Sequence, residues 1–200
     1  INTLSQNIPP KELIDNHGRK ITYIRLAITD RCNLRCIYCM PEKGVKPLQH
    51  GQILSMEEMV RLVNIFIKLG IRKVRVTGGE PFVRKGCIDL LNRLKNECKT
   101  PELFVTTNGV EISPYLEKLK KIGISGLNMS LDTLDRQKYL QITRRDCLDK
   151  VLEAFSEIIR LGIKLKINSV ILPQSSDDDI VNLAKLVEKN PISLRFIEQM

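Results

Sequence analysis

Apolar and polar positions alternate with a period of two along six short stretches of this 200-residue chain, and with a helical period between them. The period-two stretches predict β-strands at Tyr23–Ile28, Lys73–Thr77, Leu103–Thr107, Gly126–Ser130, Lys164–Val170 and Ser193–Ile197. Helices are predicted at Met56–Leu69, Cys87–Cys98, Pro114–Ile122, Leu148–Leu161 and Asp178–Lys189. The first helix is the clearest. Ser55 and Glu58 make a capping-box pattern, Met59, Val60, Val63, Phe66 and Ile67 form the apolar stripe, and Gly70 ends it. Strands alternating with helices imply right-handed parallel units and an α/β fold. Two architectures compete: a doubly wound sheet, and a barrel or part-barrel.

The strands favour the second. A sheet covered on both faces carries nearly continuous apolar strands, whereas here Val74 and Val76 oppose Arg75 and Thr77, and Leu165 and Ile167 oppose Lys166 and Asn168. Leu127 and Met129 likewise oppose Asn128 and Ser130. The apolar face takes the helices, and the other face becomes a concave surface carrying Arg25, Arg75, Lys166 and Arg195. A dry core cannot hold four unpaired cations. The pattern therefore predicts a polar lumen for an anionic ligand; the plainer alternative is that individual cations pair with carboxylates or snorkel at strand ends.

Polar motifs fall where these strands end: TDRC after the first, TGGEP at Thr77–Pro81, TTNG at Thr106–Gly109, SLD at Ser130–Asp132, and Glu198–Met200. Barrel enzymes place their active sites at that end. Within TDRCNLRCIYCMP stand Cys32, Cys36 and Cys39, spaced C-x3-C-x2-C. Closed zinc and cubane iron–sulfur sites take four protein ligands, so three clustered thiols suggest a metal centre with an open position. Zinc would need a fourth ligand such as His17, His50 or Cys87, none at finger-like spacing. The bland alternative is three small buried hydrophobes.

Composition narrows the setting. The chain is one domain's length, 42% hydrophobic, with no apolar run long enough for a membrane span and no secretory signal at its start. The remaining cysteines, Cys87, Cys98 and Cys147, are scattered, which fits a reducing cytoplasm. The net charge of +9 points to an anionic partner, but 4% aromatic residues and no tryptophan supply few stacking platforms for nucleic acid.

Together these motifs resemble the radical S-adenosylmethionine superfamily, whose signature is an open-position cysteine motif after a first strand and GGEP after a second. More narrowly, GRKITYIRLAITDRCNLRCIYCMP, VRVTGGEPFVRKG, TTNG, NMSLDTLD, KINSVI and RFIEQM resemble the molybdenum-cofactor biosynthesis protein A family, the GTP 3′,8-cyclases. The resemblance runs from about Gly18 to Met200. It implies an amino-terminal extension over residues 1–22 and a partial (βα)6 TIM-like barrel of the radical SAM type over 23–200. It implies a [4Fe–4S] cluster on Cys32, Cys36 and Cys39, with S-adenosylmethionine on the fourth iron. Position by position, Tyr38, Gly79, Ser130 and Met200 match contacts to S-adenosylmethionine, and Arg25, Arg75, Thr106 and Lys166 match contacts to GTP. The implied partners are GTP and an electron donor protein or reductant, with no nucleic acid and no membrane; a homodimer is a further expectation.

The chain departs from the family in lacking the second cysteine set and the glycine-rich tail of a carboxyl-terminal region; Cys87, Cys98 and Cys147 do not form such a set. It is therefore expected to be a fragment, trimmed also at Ile1, and a second [4Fe–4S] cluster is expected only if that region exists. Two rivals remain: a radical SAM enzyme acting on another substrate such as a peptide, and a metal- or cluster-binding module without catalysis. Ferredoxin-like spacing would place proline after a fourth cysteine, whereas Pro41 follows Met40.

Overall fold

The structure, a computed structural model, describes residues 12–199, without the side chain of His50. Six strands form one parallel sheet in the order β1-β2-β3-β4-β5-β6: Tyr23–Ala27, Lys73–Thr77, Glu102–Thr107, Gly126–Ser130, Leu165–Ile171 and Ile192–Glu198. Strand order follows chain order without reversal. That removes the doubly wound alternative, which needs a switch point where the order turns back, and leaves the partial (βα)6 barrel, open between β1 and β6.

The two faces separate as the alternation predicts. Val74, Val76, Leu103, Val105, Leu127, Met129, Leu165 and Ile167 are all 0–1% exposed and form the core under the helices. Each contributes about 1.5–3 kcal/mol by burial. The covering helices are α1 (Met56–Lys68), α2 (Cys87–Asn96), α3 (Leu116–Ile122), α4 (Arg136–Thr143), α5 (Leu148–Arg160) and α6 (Asp177–Lys189).

Helix α1 has the anticipated cap: Glu58 N–H donates to Ser55 Oγ at 3.1 Å, and Ser55 N–H to Glu58 Oε2 at 2.7 Å. The helix anticipated at Pro114–Ile122 instead opens with a 3-10 turn, Ser113–Tyr115, before α3 begins at Leu116. Helix α4 is not foreseen by periodicity. RQKYLQIT buries Tyr139, Ile142 and Thr143 but exposes Leu140, so its apolar stripe is too thin to read. Its start is fixed locally, Asp135 Oδ1 accepting from Lys138 N–H at 2.8 Å. In the described part of the amino-terminal extension, Ile14 and Lys20 bridge in antiparallel fashion around a turn, where Asp15 accepts from His17 and Arg19 N–H.

Candidate active site

Strand register sorts the lumen into rows. Arg25 lies opposite Arg75, Arg75 opposite Phe104, and Phe104 opposite Gly126. Two residues further along, Thr106 lies opposite Asn128, Asn128 opposite Lys166, and Lys166 opposite Ser193. Above these stand Ser130, Asn168 and Arg195. Arg25, Arg75, Thr106 and Lys166 thus share one wall, in neighbouring rows about 6.6 Å apart along the strands.

The lumen is cationic and internally uncompensated. Among the described residues Arg25, Arg75, Lys166 and Arg195 form no ion pair, and nearby Glu102 goes to Lys73 at 3.8 Å. Burial, then Arg195, Arg75, Lys73 and Lys164, holds the Lys166 ammonium below the ordinary lysine range. Aromatic faces stand in for counter-ions. The Arg75 guanidinium lies 5.5 Å from the Tyr23 ring and 5.8 Å from Phe104, and Lys73 Nζ sits 4.5 Å from Phe104. The Tyr23 hydroxyl accepts from Arg25 Nε at 3.1 Å.

The cysteine loop caps this lumen and is held by its own backbone. Arg35 Nη1 donates to the carbonyls of Cys32 (2.6 Å) and Leu34 (2.7 Å). Arg35 N–H and Ile37 N–H donate to the carbonyls of Thr143 and Ile142 at the end of α4. Arg144 returns the contact, donating to the carbonyls of Arg35 and Met40. The helix that periodicity misses is the seat of the cysteine loop.

Cys32 and Cys36 are partly buried and Cys39 is exposed. Burial, with Asp132 and the other two thiols behind it, pushes Cys36 up to about 12; burial also raises Cys32. Cys32 Sγ accepts from Leu34 N–H at 3.4 Å and from Asn108 Nδ2 at 3.7 Å.

Among the described residues no three His, Cys, Asp or Glu side chains converge on a point that would hold one metal ion. His17 lies in the exposed amino-terminal turn, Cys87 is buried in the core at 3% exposure, and the His50 side chain falls outside the described residues. A cubane cluster meets each thiolate at a separate iron, so its ligands need not converge on a point. Soft thiols on one loop, with N–H donors aimed at a sulfur, are the donor set it takes.

The GGE segment answers a steric need of that loop. Gly79 N–H donates to Thr29 O at 2.7 Å and Glu80 N–H to Arg31 O at 2.8 Å. A Cβ on Gly79 would stand 2.2 Å from Arg31 O; on Gly78, whose φ is +149°, it would stand 2.5 Å from Thr29 O. These glycines admit the cysteine loop's own backbone.

Three residues inside the quoted motifs carry roles that sequence reasoning leaves unassigned. Glu80, 1% exposed, accepts from Phe82 N–H, Thr107 Oγ1 and, at 2.6 Å, Asn108 N–H. Its carboxyl is raised by burial. Asn108 reaches Cys32 and Asn33. Asp132 accepts from Tyr38 Oη at 2.7 Å and Val170 N–H at 2.8 Å. Their position in GGE, TTNG and SLD was a signal; their partners are set by tertiary packing. Ser130 is half-buried in the upper row, and Met200 lies outside the described residues.

Comparison with known proteins places this geometry. The sequence profile of the radical SAM superfamily matches residues 26–187. The GTP 3′,8-cyclase of Peptoclostridium acidaminophilum is 43% identical over 189 residues, 94% of this chain and 58% of that protein. The GTP 3′,8-cyclase of Syntrophomonas wolfei is 45% identical over the same shares. The chain thus spans 58% of the length of these curated relatives. Among solved structures, Streptococcus suis SuiB bound to its precursor peptide SuiA superposes with a TM-score of 0.78 at 20% identity, covering 90% of this chain and 39% of that one. Methylornithine synthase (PylB) gives 0.73 at 14%, covering 89% and 53%. At those identities the likeness is one of fold.

Proposed function

The chain belongs to the radical S-adenosylmethionine superfamily and is homologous to the amino-terminal portion of the GTP 3′,8-cyclases, and from that premise we propose that it is the barrel part of an enzyme that cyclises GTP in molybdenum cofactor biosynthesis. The observation that carries the reading is the cationic lumen. Four cations on one wall, without internal ion pairs among the described residues, suit a triphosphate, because each bond to a phosphate oxygen is charge-assisted. A peptide without acidic residues gives no reason for such a wall.

In this reading Cys32, Cys36 and Cys39 hold a [4Fe–4S] cluster, and Tyr38, Gly79, Ser130 and Met200 surround S-adenosylmethionine. Arg25, Arg75 and Lys166 grip the triphosphate, with Thr106 beside them. A cluster held by these cysteines, reduced by an electron donor protein or chemical reductant, would supply the electron for reductive cleavage of S-adenosylmethionine to methionine and so the radical chemistry directed at the GTP ribose. The protein's share is positional. Asn108 and Leu34 N–H steady Cys32, the end of α4 anchors the loop, and the strand-borne cations fix the nucleotide below it.

The test is anaerobic reconstitution followed by equilibrium dialysis against GTP, ATP and CTP, with methionine and deoxyadenosine release measured. GTP retained in preference to the others, and product release that depends on it, is expected. A protein that takes iron and sulfide but retains no nucleotide would overturn the substrate; one that takes only zinc would overturn the enzyme class.

A further inference from the structure

Asn128 stands near the middle of the lumen wall and belongs to none of the roles above. It is 2% exposed. Its strand neighbours Leu127 and Met129, 1% and 0% exposed, face the helices, so alternation sends the Asn128 side chain to the lumen. Register seats it directly between Thr106 of β3 and Lys166 of β5. Its Nδ2 is buried and has no hydrogen-bond partner among the described residues. A buried amide left unpaired costs free energy, and native proteins retain few of them without a use.

Two other lumen atoms share this state: Arg75 Nε one row down and Asn168 Oδ1 one row up. Unpaired polar atoms thus mark three successive rows of the lumen. The row below Asn128 offers its Nδ2 no side-chain acceptor, since it holds Gly126, the Phe104 ring, to which a Cβ on Gly126 would approach within 3.1 Å, and the cationic Arg75.

We propose that Asn128 is a substrate contact, its carboxamide hydrogen-bonding the ribose of the bound nucleotide. The inference rests on the lumen being the GTP site. A carboxamide is neutral and both donates and accepts; a ribose hydroxyl and the guanine edge do the same, while the triphosphate is served by cations, and position along the lumen selects the ribose. The row of Asn128 lies above the Arg25–Arg75 row and includes Lys166, so the amide stands where the triphosphate gives way to the ribose on the side of the cysteine loop.

The test uses the full-length, cluster-loaded protein and its Asn128→Leu variant, a near-isosteric apolar replacement. Anaerobic calorimetry measures binding of GTP, 2′-deoxy-GTP and 3′-deoxy-GTP, and thermal melts follow the ligand-free proteins. GTP binding is expected to weaken about 10-fold or more, equivalent to about 1.4 kcal/mol. The ligand-free melting midpoint should hold or rise, because an unpaired polar group has been removed. The deficit should vanish with the deoxy analogue that lacks the contacted hydroxyl. Unchanged GTP binding, or a lowered midpoint with unchanged binding, would overturn the contact, and an equal deficit with all three nucleotides would overturn its assignment to the ribose. Wild-type protein that binds no GTP would overturn the nucleotide reading and this inference together.

Discussion

The hydroxyl of Tyr38, between Cys36 and Cys39, donates to the buried carboxylate of Asp132 at 2.7 Å, joining residues 94 positions apart. The bond ties the cysteine loop to the end of β4, and Val170 N–H holds the other carboxylate oxygen from β5. Replacing Tyr38 by Phe leaves one side of that carboxylate unpaired in a site that already disfavours its charge. The expected loss is about 1–3 kcal/mol. It should appear as a lower melting midpoint of the metal-free protein in calorimetry, with iron uptake retained because the thiols remain. An unchanged midpoint would show that Asp132 finds other partners.

Gly79→Ala addresses the seam between β2 and the cysteine loop. With Arg31 O at 2.2 Å from the new Cβ, backbone rather than a flexible side chain must yield. Overpacking of this kind costs about 1–3 kcal/mol. The expected outcome is a lower melting midpoint together with reduced iron and sulfide after reconstitution. Full iron with loss of only S-adenosylmethionine binding would instead confine Gly79 to a cofactor contact.

The cysteines divide by location. Cys36→Ala is expected to abolish cluster retention, since two thiolates cannot hold it, whereas Cys87→Ala should retain the cluster and lose core packing only. The metal-free protein carries a linked pH effect. Cys36 is raised from 9.0 to about 12, so between those values the folded chain keeps a proton that the unfolded chain has released. Stability therefore falls as pH rises through that window, with a slope approaching about 1.4 kcal/mol per unit. Denaturant melts from pH 9 upward check it; buried Cys87, likewise pushed up to about 12, adds its own share, so Cys36→Ser should make the decline shallower without abolishing it.

Arg75→Ala removes a guanidinium from the lumen while leaving the loop untouched. GTP binding is expected to weaken about 10- to 100-fold, the scale of a charge-assisted bond, with slow GTP-independent cleavage of S-adenosylmethionine largely preserved. Parallel loss of both in kinetic assays would mean that Arg75 serves the cofactor end of the barrel.

Much of this was legible because strands carry a period of two. Once Val74 and Val76 were assigned to the core, Arg75 had to face the other way, and the same step placed Lys166 opposite Ile167. The cysteine spacing and GGE lay in contiguous sequence. What escaped was non-local. Helix α4 has only Tyr139 and Ile142 as a stripe, and its purpose, to receive Arg35 and Ile37, is invisible without the loop. Glu80 reads as a motif residue until Thr107 and Asn108 arrive from β3. Asn128 reads as a polar strand position until its buried amide is found without a partner.

The anchoring of the cysteine loop has a consequence for the order of events during synthesis. Its fastenings come from Asn108, Asp132, Thr143 and Arg144, and Asp132 is itself held by Val170. Contacts so distant in sequence form late, because closing long loops must precede any gain from them. The three thiols precede all of these fastenings in the chain, and the seat that arranges them is complete only when β5 is in place. Before β5 has emerged a nascent chain would thus present these thiols unarranged, as loose cysteines rather than a site.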